Sequence, residues 1–152
     1  KSSIINRLSG GGKAKTGSRP GLTRGKQWVR LNAYMELMDT PGMLWPKLDD
    51  AKGAMRLAFI NAIRDEVLDK YEIALSLVTE LDTCAPKALE QRYGVDPQGQ
   101  MPEQVLEAIA KRRGYAIKGG EYDEERAAQI VVEEFRSGKL GRISLERPGE
   151  FA

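Results

Sequence analysis

The chain has 152 residues, of which 41% are hydrophobic and 30% are charged, a composition typical of a globular protein with a core. No apolar run approaches the roughly 18 residues of a membrane span, no signal-peptide region opens the chain, and the single Cys84 excludes an internal disulfide. We therefore expect a cytoplasmic protein without membrane or disulfide partners. The sequence has no histidine, which excludes Ser-His-Asp triads and histidine-based zinc sites and leaves oxygen ligands for hard cations.

The charge is distributed unevenly along the chain. The net charge is +2, yet residues 1–35 carry +8 and the remaining residues carry −6. A block this one-sided is typical of a segment that meets phosphates, although a solvated basic loop is the simpler alternative. The eight basic residues are Lys1, Arg7, Lys13, Lys15, Arg19, Arg24, Lys26 and Arg30.

The first residues carry a partial motif. Lys1-Ser2-Ser3 precedes a helical spacing of Ile4, Ile5 and Leu8, and it matches the end of the phosphate loop, G-x-x-x-x-G-K-[ST]. In that loop the lysine bridges the β- and γ-phosphates and the serine binds magnesium. We therefore expect the chain to begin inside its own phosphate loop.

Residues 9–27 are rich in glycine and basic residues and lack apolar periodicity. The plain interpretation is a flexible loop. The sharper hypothesis is a switch loop, in which Thr23 supplies the hydroxyl that senses magnesium and the γ-phosphate.

The next stretch predicts a β-hairpin that ends in an acidic residue. Residues 27–31 and 34–38 have strand character, and Asn32-Ala33 predicts a tight two-residue connection. The hairpin delivers Asp39, which can reach a magnesium ion, and Gly42 follows where a backbone N–H can approach a phosphate. The same Asp-Thr-Pro-Gly string is also ordinary turn chemistry.

From Asp49 onward the pattern becomes helical, and it predicts an all-α domain over residues 49–152 after an α/β domain over residues 1–48. The apolar stripes of these helices are typical of a core. The predicted helices are Ala51–Arg64, Tyr71–Leu81, Cys84–Tyr93, Pro102–Arg113 and a helix from an Asp123 cap to Ser137.

The helical part carries a candidate RNA-binding surface. Lys111, Arg112 and Arg113 end one helix, Lys118 follows between glycines, and Arg142 extends the set. Such cations can grip an RNA backbone. The alternative is that cations at a helix C-terminus complement the helix dipole.

These residues together resemble a known family. Lys1-Ser2-Ser3, Arg19-Pro20-Gly21-Leu22-Thr23 and Asp39-Thr40-Pro41-Gly42-Met43-Leu44-Trp45-Pro46-Lys47 have the order and spacing of a translation-factor-type GTPase. The Leu-Trp-Pro-Lys extension is similar to the ribosome biogenesis GTPase A (RbgA/YlqF) family, circularly permuted GTPases that assist assembly of the large ribosomal subunit. The string from Phe135 to Arg142 resembles that family's C-terminal helical domain, so the resemblance covers nearly the whole chain.

The resemblance implies a fold and a set of roles. It implies a circularly permuted P-loop GTPase domain, truncated here, followed by an all-α domain that contacts ribosomal RNA. GTP or GDP and Mg²⁺ would be bound, and the partner would be the precursor of the large ribosomal subunit. In this assignment Lys1 bridges the β- and γ-phosphates, Ser3 contacts the α-phosphate, and the Gly42 N–H senses the γ-phosphate, with Thr23 and Gly42 as the catalytic pair. The magnesium ligands would be Ser2, Thr23 and, through water, Asp39.

Two positions and one missing motif refine this picture. Met43 stands where many GTPases have a glutamine that orients the attacking water, which predicts slow hydrolysis until a partner completes the site. The alternative is that Met43 is simply a packed side chain. Asn61 stands where the family usually has glycine. The guanine-reading motif Asn-Lys-x-Asp does not occur in the chain, as expected if it lies N-terminal to the phosphate loop, so guanine specificity rests on the resemblance.

Two other functions fit the residues alone. One is an RNA-binding module that needs no nucleotide, with the basic N-terminal arm and the Lys111–Arg113 surface making backbone contacts. The other is a P-loop ATPase, which differs from a GTPase only in base-reading residues that this chain does not contain.

Overall fold

The structure is a computed structural model, and it describes residues 2–11, 25–40, 50–63 and 69–149. The chain divides into two compact units, Lys1–Asp49 and Asp50–Ala152. The described residues are helix-rich and contain one two-stranded sheet. None of the helices in these ranges has both the length and the apolar character that crossing a bilayer requires.

The first unit joins a short helix to a hairpin. Helix α1 spans Ser2–Leu8, and strands β1 (Gln27–Arg30) and β2 (Glu36–Asp39) pair antiparallel. Ile5 of α1 and Val29 of β1 are buried together, with Leu37 packed against them. This small apolar cluster holds α1 on the hairpin.

The predicted two-residue connection of the hairpin is wrong. The strands end at Arg30 and begin again at Glu36, so the loop is longer than Asn32-Ala33. The Asn32 side-chain oxygen accepts a hydrogen bond from the Tyr34 N–H at 2.9 Å, and the Leu31 N–H donates to the Met35 oxygen at 2.9 Å. Asparagine favours this local turn, which replaces strand pairing at the tip.

The described residues of the second unit form five helices around one core. Helix α3 contacts all four of the others, and it buries Leu77 and Leu81 completely. Residues after the last helix return to this core through Leu140, Ile143 and Leu145. The helices are α2 (Ala51–Phe59), α3 (Lys70–Cys84), α4 (Lys87–Tyr93), α5 (Pro102–Arg113) and α6 (Glu124–Arg136).

Aspartates begin three of these helices. The Asp50 carboxylate accepts hydrogen bonds from the Lys52 and Gly53 N–H groups, and Asp69 and Asp123 cap α3 and α6 in the same manner. Each cap satisfies N–H groups that have no partner inside the helix. The cap that the sequence predicts at Asp123 is confirmed.

Helix α2 ends earlier than predicted, at Phe59 instead of Arg64. Asn61 has φ of 58°, and the Ala62 N–H donates to the Leu57 oxygen at 2.9 Å. Arg136 of α6 then donates to the carbonyls of Ala58 at 2.8 Å and Phe59 at 3.1 Å. Helices commonly end at a residue with a left-handed backbone, which is usually glycine. Asn61 occupies that position at the end of α2.

The predicted start of α4 at Cys84 is also wrong. Cys84 is the last residue of α3, Ala85 breaks the helix with φ of −152°, and α4 begins at Lys87 after Pro86. The residue before a proline avoids helical geometry, so the proline separates two helices at this point.

A carboxylate lies among the buried apolar residues of α6. Glu134 has only 8% of its surface exposed, and it accepts hydrogen bonds from Arg92 Nε at 2.8 Å and Nη2 at 2.6 Å. The Tyr93 hydroxyl donates to it at 2.8 Å, and Arg113 Nη2 lies 3.9 Å away. The residue thereby links α4, α5 and α6.

Charge and burial shift the ionisation in this network. The Arg92 hydrogen bonds, aided by the Tyr93 hydroxyl, lower the pKa of Glu134 to about 2 against the opposing effect of burial. Burial, followed by the hydrogen bond to Glu134, raises the pKa of Tyr93. Glu134 is therefore a permanent anion at neutral pH.

Substituting Asn61 tests the left-handed helix stop. Asn61→Gly and Asn61→Ala both remove the amide, but alanine keeps the Cβ that is unfavourable at this φ, whereas glycine removes it. We expect the alanine variant to be about 1 kcal/mol less stable than the glycine variant in urea-induced unfolding. Equal stabilities would contradict the left-handed backbone at residue 61.

The stability that Glu134 contributes should depend on pH. Its folded pKa lies below its ordinary value of 4.5, so its contribution is complete above pH 4.5 and disappears as the pH falls to about 2. We expect Glu134→Gln to reduce the free energy of unfolding by about 2 kcal/mol at pH 7, and the difference from the wild type to narrow in acid.

The adjacent exposed residue supplies the control for this measurement. Glu133→Gln removes the same charge one residue earlier, where the side chain is exposed. Its stability should follow that of the wild type from pH 7 to pH 2. A Glu134→Gln variant as stable as Glu133→Gln at pH 7 would rule out the stabilising role.

Candidate functional site

Some of the residues predicted to bind the phosphates and magnesium lie outside the described ranges. Lys1, Thr23, Gly42 and Met43 lie outside them. Ser2, which is half-buried, begins α1, and Ser3 is exposed in its first turn. The structure thus places the two predicted serines at the start of a helix.

The second strand of the predicted hairpin ends at Asp39. Strand β2 finishes at this residue, whose backbone is opposite Gln27 in the register. Helix α1 contacts β2, and Ile5 packs with Val29 and Leu37. The helix that begins with the serines and the strand that ends in the aspartate therefore belong to one packed unit.

Hydroxyl and carboxylate oxygens are the donor types that Mg²⁺ prefers. The predicted set of Ser2, Thr23 and Asp39 has this chemistry. In the part of the chain that the structure describes, no group of three or more acidic or cysteine side chains could hold a metal ion.

The predicted RNA-binding cations differ in their surroundings. Lys111, Lys118 and Arg142 are exposed, and none forms an ion pair with a residue in the described ranges. Lys118 lies in the turn bounded by the bridge between Ala116 and Tyr122. These three cations are available to a partner.

The two arginines at the end of α5 contact other residues of the second unit. The Arg113 guanidinium lies 5.2 Å from the centre of the Tyr93 ring and 3.9 Å from Glu134, so it belongs to the network around Glu134. Arg112 lies over Gly94, where an added Cβ would be 2.5 Å from its Nη1 atom. Glycine at this position makes room for the Arg112 side chain.

An acidic cleft of about 720 Å³ lies beside the start of α6. Its described lining residues include four acids and one lysine, together with Tyr71, whose hydroxyl donates to Glu124 at 2.8 Å. Burial, followed by this hydrogen bond, raises the pKa of Tyr71 to about 12. The acids are Asp69, Asp123, Glu124 and Glu125, so the cleft disfavours an anionic ligand.

The sequence interpretation missed several residues of the helical unit. Glu134 occupies the apolar stripe of α6 beside Val131, and a carboxylate in such a stripe is a signal for a buried ion pair. Its partners Arg92 and Tyr93 are more than 40 positions away, and no local pattern links them to it.

A family model described as "50S ribosome-binding GTPase" matches residues 1–111. The chain is 40% identical over 154 aligned residues to Ribosome biogenesis GTPase A of Bacillus cereus, covering 99% of this chain and 51% of the relative. It is 31% identical to the Thermotoga maritima protein of the same name, covering 97% and 52%. The chain therefore spans about half the length of these curated relatives.

Solved structures agree with these relatives. The GDP-bound structure of TM YlqF has a TM-score of 0.64 at 29% identity, covering 99% of this chain and 56% of that one. The GNP-bound YlqF from T. maritima has a TM-score of 0.60 at 30% identity, covering 98% and 55%.

The family model covers well over half of the chain, and the relatives align with nearly all of it. These matches confirm the resemblance to ribosome biogenesis GTPase A that the motifs predict. The chain belongs to the family of 50S ribosome-binding GTPases.

Proposed function

We propose that this chain supplies the phosphate- and magnesium-binding part, and the helical domain, of a circularly permuted GTPase that assists assembly of the large ribosomal subunit. The observation that carries this proposal is the packing of α1, which begins at Ser2, on the hairpin whose second strand ends at Asp39. The names of the relatives and the GDP- and GNP-bound neighbours support a guanine nucleotide as the ligand.

The residues of the first unit would divide the work of nucleotide binding. Lys1 would bridge the β- and γ-phosphates, Ser3 would contact the α-phosphate, and the Gly42 N–H would sense the γ-phosphate. Ser2 and Thr23 would hold Mg²⁺ directly, and Asp39 would hold it through water. When bound, Mg²⁺ supplies charge neutralisation at the phosphate oxygens.

Hydrolysis would be attack of water on the γ-phosphate, with the protein acting through position and electrostatics. Met43 cannot orient that water through a hydrogen bond, because its thioether is only a weak acceptor. The intrinsic rate would therefore be slow until the ribosomal particle completes the site.

The second unit would contact ribosomal RNA in the subunit precursor. Lys111, Lys118 and Arg142 are exposed and make no ion pair with the described residues, and Arg112 follows Lys111 in the sequence. Arg113 would reinforce the local positive potential from within its network. Nucleotide state would control ribosome binding, and the protein would act in the cytoplasm.

The same exposed cations favour a second candidate, an RNA-binding module that is indifferent to nucleotide. Its affinity for RNA would fall steeply with salt, as expected for backbone contacts. It would require no contribution from Ser2, Thr23 or Asp39. The two functions therefore differ in whether residues of the first unit are required for activity.

Nucleotide turnover distinguishes these functions. We expect protein containing this chain to hydrolyse GTP slowly, to hydrolyse it faster with large ribosomal subunits, and to leave ATP at the background rate. Phosphate release measured with each nucleotide, with and without subunits, gives all four rates. Subunit binding without turnover of either nucleotide would favour the RNA-binding module and overturn the GTPase proposal.

Replacing Asp39 tests its predicted role directly. Asp39→Asn removes the charge that would hold the water shell of Mg²⁺, and we expect magnesium-dependent GTP affinity to fall about 10- to 100-fold. Titration of a fluorescent GTP analogue with and without Mg²⁺ measures the effect. Glu36→Gln, on the same strand, is the matched control and should bind as the wild type does. Unchanged magnesium dependence in Asp39→Asn would remove this residue from the site.

A further inference from the structure

A second cleft, of about 410 Å³, lies between the junction of α3 and α4 and the segment that follows α6. This volume falls within the range of about 300–1,000 Å³ that is usual for ligand sites. Apolar residues, among them Pro86, Leu140 and Ile143, form most of its lining, and Lys87, Gln91 and Arg142 supply polar groups.

The walls of this cleft are fixed by the core. Leu140 is buried and Ile143 packs against the same core cluster. Gly141, between Leu140 and Arg142, has φ of 108°, a conformation that side-chain-bearing residues rarely adopt. Arg142 thus lies exposed between Leu140 and Ile143, which both pack on the core.

The charge of the residues that line this cleft favours an anionic ligand. Of the lining residues that the structure describes, Lys87 and Arg142 are cations and none is an acid. Neither cation has an ion pair or side-chain hydrogen bond with a residue of the described ranges. The acidic cleft of the same unit has the opposite character, with four carboxylates and one lysine.

A third cleft, of about 360 Å³, is apolar, and its only lining cation of the described residues is Arg56. That guanidinium already donates to Glu80 at 2.5 Å and 3.1 Å, and Glu146 lies 3.8 Å from it. Its charge is therefore neutralised within the fold. Lys87 and Arg142 retain theirs.

The combination of an apolar floor and two cations at its edge matches one part of RNA. The flat face of an unstacked base can lie on the apolar floor while neighbouring phosphates meet the cations. A duplex hides its base faces, and a free phosphate would leave the floor unused. We infer that the cleft lined by Lys87 and Arg142 binds a nucleotide of single-stranded RNA. This inference rests on the RNA contact proposed above and assigns part of that contact to this cleft.

None of the described residues that line the cleft is aromatic, and this has a consequence for specificity. Contact with an aliphatic floor depends little on which base is present, so the cleft should accept several bases with modest affinity. Two phosphate contacts should contribute roughly 1.4 to the slope of log affinity against log salt, since single strands release about 0.7 counterion per neutralised phosphate.

The test is the affinity of a labelled single-stranded RNA octanucleotide, measured by fluorescence anisotropy over a salt series. The double variant Lys87→Ala/Arg142→Ala should bind at least about tenfold more weakly, because it removes two charge-assisted contacts, and its salt slope should decrease by roughly 1.4. The control Lys52→Ala/Lys70→Ala removes the same charge at two exposed positions outside the cleft and should bind as the wild type does. Unchanged thermal midpoints would show that both variants are folded.

A third variant separates the cleft from the rest of the RNA surface. Lys111→Ala/Lys118→Ala tests the other cations of the proposed contact. If this variant loses affinity while Lys87→Ala/Arg142→Ala does not, the cleft is overturned and the proposed RNA contact remains. If all three double variants lose affinity equally, binding depends on net charge and the cleft is likewise overturned. A wild type that binds no RNA would refute both, whereas GTP turnover would still test the GTPase proposal.

Competition identifies the ligand chemistry. Unlabelled single-stranded octanucleotide should displace the probe at least about tenfold more effectively than a duplex of equal length, since only the single strand exposes base faces. Inorganic phosphate should compete only at far higher concentration. Equal competition by the duplex, or by phosphate at equal concentration of phosphate groups, would show that the apolar floor is not used and would overturn the inference.

Discussion

The packing of the second unit depends on the hydrogen bonds and ion pairs of the Glu134 carboxylate. A carboxylate placed among buried apolar residues is costly unless its charge is compensated, and Arg92, Tyr93 and Arg113 compensate this one. These partners come from α4, the end of α4 and the end of α5, while Glu134 comes from α6. The apolar contacts of a helical bundle tolerate sliding, whereas a bidentate arginine–carboxylate pair requires one geometry. The network therefore specifies how three helices meet, and its ionisation keeps that geometry at neutral pH.

This internal use of charge changes what a partner encounters. Arg56 pairs with Glu80, Arg136 donates to the last carbonyls of α2, and Arg113 joins the Glu134 network. The composition counts these arginines as basic surface, but the fold already uses them. Lys87, Lys111, Lys118 and Arg142 are exposed and make no ion pair with the described residues, so their charge remains for a partner.

The sequence predicted the elements better than their ends. Apolar periodicity identified all the helices of the second unit and the two strands of the first, because these patterns report burial on one face. The ends of α2 and of the hairpin strands depended on the backbone of Asn61 and on the side chain of Asn32, which are local choices that periodicity does not contain. The role of Arg113 depended on Glu134, 21 residues away, and could not be read from three adjacent cations. Of the nucleotide site, Lys1, Thr23 and Gly42 lie outside the described residues, so their assignment remains a prediction.

The two regulatory properties proposed for this GTPase have different physical origins. If nucleotide state alters affinity for the ribosomal particle, linkage requires the particle to alter nucleotide affinity by the same factor. Stimulated hydrolysis is not bound by this reciprocity, because it depends on stabilising the transition state more than the bound ground state. Met43 bears only on the second property, since the missing hydrogen bond concerns the attacking water. A partner that supplies that hydrogen bond would accelerate hydrolysis without changing the equilibrium that couples the nucleotide to the ribosomal particle, so a substitution at Met43 should separate the two.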